Sequence, residues 1–318
     1  MPPSIDFASI PGVRVGHAET ADGTSGVTVV LFDAATPTVV DVRGGASATY
    51  DTASLALDAT FGRRWAIFFA GGSLFGLDAA RGVRTRILEC GGGGTALRNP
   101  NPVVPISGAA LFDLPREKGP IPDYLPLGYE AALRANHSPV RAGRVGAGAG
   151  ATVGKYLGRH RAMPGGVGAA ASRVAGRGSI GVLAVVNAVG AVRDPSSGAW
   201  VAGARGDRGR VAPPRHGSVP RDRTGATTLG LVVTDFAVER PGLSRIAAMA
   251  HTGLASAIVP FHSSTDGDVV FASATGRAGR PPREVRPGEV ADRLGVLAAE
   301  LAGVAVRKAV RAAARAER

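Results

Sequence analysis

The sequence predicts a layered α/β (α+β) domain, and three observations carry that prediction. Short β-branched runs bounded by Gly or Asp recur along the whole chain. Apolar residues at helical spacing lie between and after those runs, so strands and helices are mixed throughout. The chain has 318 residues, is 45% hydrophobic and 19% charged, and shows no internal repeat, so it can bury a sizeable core. That length suits one large domain or two small ones, and a single domain over 1–318 is expected.

The elements follow in order. Strands are expected at 26–32 (Gly-Val-Thr-Val-Val-Leu-Phe), 39–42, 65–69, 180–186, 228–234 and 269–272. Ile246, Met249, Ala250, Gly253, Leu254 and Ala257 fall at i, i+3, i+4, i+7 spacing, with Ser244 placed to cap the helix start. Leu294, Leu297, Leu301 and Val304 repeat the pattern in a last helix whose end carries Arg and Lys, as the helix dipole favours. Residues 119–129 read as a loop without a recognisable substrate code. Residues 202–226, rich in Gly, Pro and charge with no apolar period, read as a long surface loop, and long loops inside compact domains are often functional.

Composition removes several classes of function. The formal net charge of +12 comes from scattered arginines, with Lys118, Lys155 and Lys308 the only lysines. The dense basic clusters, 205–223 and 307–318, have no interleaved aromatic residues, so no nucleic-acid stacking platform is expected. Cys90 is alone, which leaves no disulfide framework and no cysteine zinc site. No apolar stretch reaches the ~18–20 residues of a membrane span. The N-terminus lacks the basic and apolar regions of a signal peptide, and a soluble cytoplasmic protein is the expectation. The glycine-rich run ending at Lys155 has Ala149 where a phosphate loop needs Gly and Tyr156 where it needs Ser or Thr. His262, Asp266 and Asp268 have ligand chemistry on a turn, but Gly267 between two Asp residues is ordinary turn chemistry, and no metal is expected.

Thr227 stands out by position. It follows the flexible polar segment and opens a buried strand, where a chain can be cut without losing its fold. A hydroxyl at a new N-terminus has its own α-amine beside it, and that amine can act as base. Taken alone, a Thr in this position is better explained by the preference of β-branched residues for strands.

A wider pattern points to one family. In order come Gly12-Val-Arg-Val-Gly-His17, Thr24-Ser-Gly-Val-Thr-Val-Val-Leu31, Asp41-Val-Arg-Gly-Gly-Ala46, Gly71-Gly-Ser-Leu-Phe-Gly-Leu-Asp-Ala-Ala80 and Val145-Gly-Ala-Gly-Ala-Gly-Ala-Thr-Val-Gly-Lys155. Val185-Val-Asn-Ala188, Thr227-Thr-Leu-Gly230, Ala250-His-Thr-Gly-Leu-Ala255 and Asp266-Gly-Asp-Val-Val-Phe-Ala272 complete the series. With these blocks the chain resembles the aminopeptidase/D-esterase family, which includes β-peptidyl aminopeptidases and nylon-oligomer endo-hydrolases.

The resemblance implies a four-layer αββα sandwich of the N-terminal-nucleophile hydrolase type. It also implies self-cleavage at Ala226–Thr227 into chains 1–226 and 227–318, assembly as a homotetramer of cut chains, and no cofactor. Carried onto this sequence, Thr227 is the nucleophile and Asn187 the oxyanion donor. Lys155 matches a lysine of the nylon-hydrolase branch, and Asp266 and Asp268 match its Asp pair. Their alternate spacing sets both carboxylates on one side of an extended segment. Two positions depart from the family: Ala226 precedes the nucleophile where Asn or Gly is usual, and Phe112 takes a substrate-site tyrosine position. The expected activity is aminopeptidase action on small peptides, amides or esters. Endo-hydrolysis of linear oligoamides and a non-catalytic binding module of the same shape are the alternatives.

Overall fold

A computed structural model describes residues 3–95, 100–114, 119–174, 178–207, 210–215, 225–280 and 288–316. The main strands are β1 (Val13–Glu19), β2 (Gly26–Val42), β3 (Arg63–Ala70), β4 (Ile106–Ala110), β5 (Gly166–Val174), β6 (Gly178–Asn187), β7 (Thr227–Phe236) and β8 (Val269–Gly279). The main helices are α1 (Ala79–Glu89), α2 (Tyr124–Leu133), α3 (Arg240–Ala257) and α4 (Glu289–Arg315).

The strands form two layers joined by one strand. In the first layer Ser4–Ile5, β5, β6, β7 and β8 lie side by side, with the second half of β2 at its edge. In the second layer the first half of β2 pairs with β1 and β3, followed by β4 and Ala48–Tyr50. The register slips between Leu31 and Thr36, where β2 passes from one layer to the other. The expected strands 26–32 and 39–42 are therefore one continuous strand. Asp33 to Pro37, between the two expected strands, is the bend at which the chain changes sheets.

Alternating side chains divide the interior into three apolar layers. Leu183, Val185, Leu229, Leu231, Phe271, Val30, Ile67 and Phe69 fill the space between the sheets. The opposite faces of β6, β7 and β8 present Val182, Val186, Val232 and Ala272 to Ile246, Leu254, Leu301 and Val306 of α3 and α4. Val29, Leu31 and Phe68 face Val83 and Ile87 of α1 and Ala131 of α2. The order of layers is α, β, β, α, as the resemblance implies. Both faces of the central strands are covered, which is why they read as unbroken apolar runs.

Three local readings are corrected. α3 begins at Arg240 after Glu239, with Pro241 in its first turn, so Ser244 is inside the helix and does not cap it. Most of the supposed loop 119–129 is the start of α2, capped by the Asp123 side chain on the Leu125 N–H. The segment 202–226 starts as structure: Ala202 and Ala204 are buried, and Ala204–Arg205 pairs with Val211–Ala212. Residues 208–209 and 216–224 lie outside the described residues, as do Lys118 and, within the basic cluster 205–223, Arg208, Arg221 and Arg223. The second basic cluster lies on α4 as far as Arg315, and Arg307 there meets Asp194 at 3.1 Å. No described helix is long and apolar enough to cross a membrane.

Candidate active site

The antiparallel ladder of β6 and β7 ends on the pair Asn187 and Thr227. Around that end the structure gathers Lys155, from a short helical turn Lys155–Leu157, and the turn leading into β8 that carries Asp266, Gly267 and Asp268. Phe112 and Asp113, just past β4, close the group. Thr227 is 3% exposed, Asp266 1%, and Lys155, Asn187 and Asp268 are fully buried. Polar side chains this deep are costly unless paired, so their partners are informative.

Asn187 is held from three directions. Lys155 Nζ donates to its backbone oxygen at 2.9 Å and to its Oδ1 at 2.7 Å. The Thr152 N–H donates to the same Oδ1 at 3.0 Å, and Asn187 Nδ2 donates to the Phe112 carbonyl at 3.0 Å. The amide orientation is thereby fixed, with the NH2 side toward Phe112. Thr227 Oγ1 donates to the Ala226 carbonyl oxygen at 2.6 Å, and the Gly267 N–H reaches that oxygen at 2.8 Å.

The two carboxylates differ. Asp268 accepts the Thr228 N–H on Oδ1 at 2.7 Å, and the His262 N–H and Nδ1 on Oδ2 at 3.2 and 2.8 Å. A carboxylate oxygen at that distance places the His262 proton on Nδ1. Asp266 accepts the Ser263 N–H on Oδ2 at 2.8 Å, while its buried Oδ1 has no hydrogen-bond partner among the described residues. Neither Asp lies on a solvated turn.

Electrostatics follow burial. Lys155 falls from its ordinary 10.5 to about 7, first because burial disfavours the ammonium and then because Arg159 is near, with Asp266 and Asp113 opposing. Burial pushes Asp268 up and the charge of Asp266 adds to it, while the bonds from His262 and Thr228 pull it back. His251 packs edge-on to His262 at 4.9 Å between ring centres, and burial lowers it to about 4, so it is neutral near pH 7.

Thus Thr227, Asn187, Lys155, Asp266 and Asp268 converge on one strand end. Phe112 joins them through its backbone carbonyl, while its ring packs against Gly225 and lies under the Arg159 guanidinium at 5.8 Å. His262, weighed in sequence as a metal ligand, is instead the partner of Asp268. Among the described residues no group of three or more His, Cys, Asp or Glu is placed to hold a metal ion. Sequence reasoning missed a buried trio behind Phe112. Asp113 Oδ2 accepts from Ser25 Oγ at 2.9 Å, Ser25 Oγ contacts Tyr124 Oη at 2.7 Å, and Asp113 Oδ1 accepts the Gly72 N–H at 2.7 Å. Ser25 and Gly72 sit inside the quoted blocks Thr24–Leu31 and Gly71–Ala80. That co-occurrence was the only available signal. The glycine run before Lys155 spends its N–H groups internally, Gly146 on the Glu19 carboxylate and Ala147 on Thr28 Oγ1, and so makes no phosphate cradle.

Known proteins share this arrangement of chain. A protein of Mycobacterium tuberculosis (strain ATCC 25618 / H37Rv), named an uncharacterized aminopeptidase, is 37% identical over 297 residues, covering 87% of this chain and 83% of its own. A 6-aminohexanoate-oligomer endohydrolase of Paenarthrobacter ureafaciens is 31% identical over 309 residues, covering 93% of this chain and 81% of its own. Among solved structures, a Burkholderia sp. β-aminopeptidase superposes with a TM-score of 0.67 at 22% identity, over 98% of this chain and 88% of that one. The L-aminopeptidase D-Ala-esterase/amidase of Ochrobactrum anthropi, described as a variant of the Ntn hydrolase fold, gives 0.68 at 19% identity, over 97% and 86%. The profile of peptidase family S58 matches residues 6–318, and the chain is a hydrolase belonging to that family.

Proposed function

We propose that the protein is a self-processing amide hydrolase that cuts its own Ala226–Thr227 bond and then acts as an aminopeptidase on small peptides, amides or esters. One observation carries this reading. The Thr227 hydroxyl lies on the carbonyl oxygen of the bond to be cut, opposite Asn187 in the ladder and in the same buried cluster as Lys155. After cleavage the Thr227 amine takes the hydroxyl proton while Oγ1 attacks the substrate carbonyl, and it returns that proton to the leaving amine. Asn187 Nδ2 carries two N–H groups; Phe112 takes one, and the other is the donor for the developing oxyanion. Lys155 uses two N–H bonds on Asn187, so its neutral form keeps a lone pair as a second base.

The unpartnered Asp266 Oδ1 is suited to an ammonium, either that of the substrate or that of Thr227 itself. The first case gives an aminopeptidase. The second favours endo-hydrolysis of linear oligoamides, a reading supported by the combination of Lys155, Asp266 and Asp268 and by the endohydrolase relative. Wild type is expected to run on a denaturing gel as two co-purifying fragments of about 23 and 9 kDa, and Thr227→Ala as one chain. Hydrolysis of an alanyl anilide against its N-acetyl form separates the two activities. Equal rates on both would overturn the aminopeptidase assignment.

A further inference from the structure

We propose that the backbone N–H of Gly267 is the oxyanion donor for cleavage of the protein's own Ala226–Thr227 bond, held there by the segment 43–46. This deepens the self-cleavage reading above and rests on it. Gly267 N lies 2.8 Å from the Ala226 oxygen, the atom on which charge develops when that bond is attacked. No hydrogen bond joins Asn187 to that oxygen among the described residues; its Nδ2 is 3.0 Å from the Phe112 carbonyl instead. Self-cleavage and substrate turnover thus draw on different donors.

The turn bearing Gly267 is clamped on both sides by backbone. Arg43 and Gly44 N–H groups donate to the Asp268 oxygen at 3.0 and 3.1 Å, and Ala46 N–H donates to the Asp266 oxygen at 2.9 Å. On the other side the Ala226 N–H reaches the Thr265 oxygen at 3.3 Å. This approach needs glycine. A Cβ on Gly44 would strike the Asp268 nitrogen and lie 2.5 Å from the Asp266 oxygen. A Cβ on Gly267 would lie 2.7 Å from Thr227 Oγ1 and 2.8 Å from the Ala46 oxygen, so either the nucleophile or the clamp must yield. The block Asp41-Val-Arg-Gly-Gly-Ala46 thereby gains a role that no side chain in it supplies.

In the step itself, Thr227 Oγ1 bonds to the Ala226 carbonyl carbon and the C=O electron pair moves onto the oxygen facing the Gly267 N–H. The intermediate collapses, the C–N bond breaks, and the hydroxyl proton ends on the departing Thr227 nitrogen. Water then adds to the ester, the bond from carbon to Oγ1 breaks, and an Ala226 carboxylate and a free Thr227 hydroxyl result.

The test is to replace Gly267 by glycolic acid through nonsense suppression in cell-free synthesis, which turns the 266–267 amide into an ester, deletes this N–H and leaves the Asp266 carbonyl in place as a weaker acceptor for the Ala46 N–H. Full-length chain should convert to fragments roughly 10²–10³-fold more slowly than wild type, the usual loss for one oxyanion donor, with its thermal transition kept. Equal rates in a wild type that cuts and in the ester chain overturn the donor while self-cleavage stands. A wild type that never cuts overturns the underlying reading and the donor together. The crystal structure of uncut Thr227→Ala decides independently of how the ester chain folds. A distance from Gly267 N to the Ala226 oxygen within about 3.2 Å supports the proposal, and one beyond about 4 Å overturns it.

Discussion

The two ends of the β6–β7 ladder bury polar groups equally deeply and treat them differently. At the far end, Asp235 takes the Ser179 N–H at 2.6 Å and the Ser179 hydroxyl at 2.7 Å, and Thr234 Oγ1 donates to the Ser179 oxygen at 2.9 Å. Every side-chain oxygen there is paired. At the near end of this ladder of eight residue pairs, at Asn187 and Thr227, Asp266 Oδ1 and Thr228 Oγ1 are buried without partners among the described residues. A buried cluster that is fully satisfied holds strands together. One left short of donors is organised for something the folded chain alone does not provide.

That contrast can be broken by experiment. The largest expected effect is at the near end, where Asn187→Ala should lower the kcat of processed protein roughly 10²–10³-fold; unchanged turnover would make Asn187 a structural residue. At the far end, Asp235→Ala strips acceptors from a buried N–H and a buried hydroxyl, and denaturant unfolding should show a loss of about 2–5 kcal/mol. Asp266→Asn, nearly the same in shape and altered at an oxygen that holds nothing, should change stability by less than about 1 kcal/mol while lowering hydrolysis of free-amine substrates. Similar stability losses for Asp235→Ala and Asp266→Asn would erase the distinction between the ends.

The smallest effect is a displacement in pH. Lys155 stands at about 7 and serves as a base only when neutral, so the cleavage rate should rise with pH through that region. Arg159 helps to hold Lys155 down, so Arg159→Gln should move the midpoint upward. Asp113→Asn, which removes a charge acting the other way, should move it down. A midpoint indifferent to both changes would remove Lys155 from the rate-limiting proton transfer.

What sequence revealed and what it hid divide along physical lines. Strands buried on both faces announce themselves as β-branched runs, and α3 and α4 show their apolar stripes because each packs one face on a sheet. α1 and α2 were invisible for the opposite reason. They cross on small residues, with Gly82 of α1 against the Leu125 oxygen and Gly128 of α2 against the Ala79 oxygen, and glycine marks a helix in no propensity scale. Within the site, Thr227, Asn187, Lys155, Asp266 and Asp268 were named from short blocks, and the structure brings them together. The trio of Ser25, Asp113 and Tyr124 was not, because it joins positions 88 and 99 residues apart, and a spacing that long leaves no local pattern. Gly267 was read as turn chemistry. Its N–H becomes notable only once Ala226 is placed against it.

One feature of the sheet bears on how such a molecule ages. β7, which begins at the proposed cut, lies between β6 and β8, and β8 in turn pairs with β2, so both outer edges of the second fragment stay laddered to the first. Leu229, Leu231 and Phe271 of that fragment fill the layer between the sheets, each fully buried side chain contributing roughly 1.5–3 kcal/mol. Cutting the backbone would therefore loosen nothing. It would, however, change the order of the return reaction: a heated, processed molecule must reassemble from two chains that dilute away from each other, whereas its precursor folds alone. Processing would make the fold a one-way acquisition, with lifetime set by the rate of coming apart and no longer by an equilibrium.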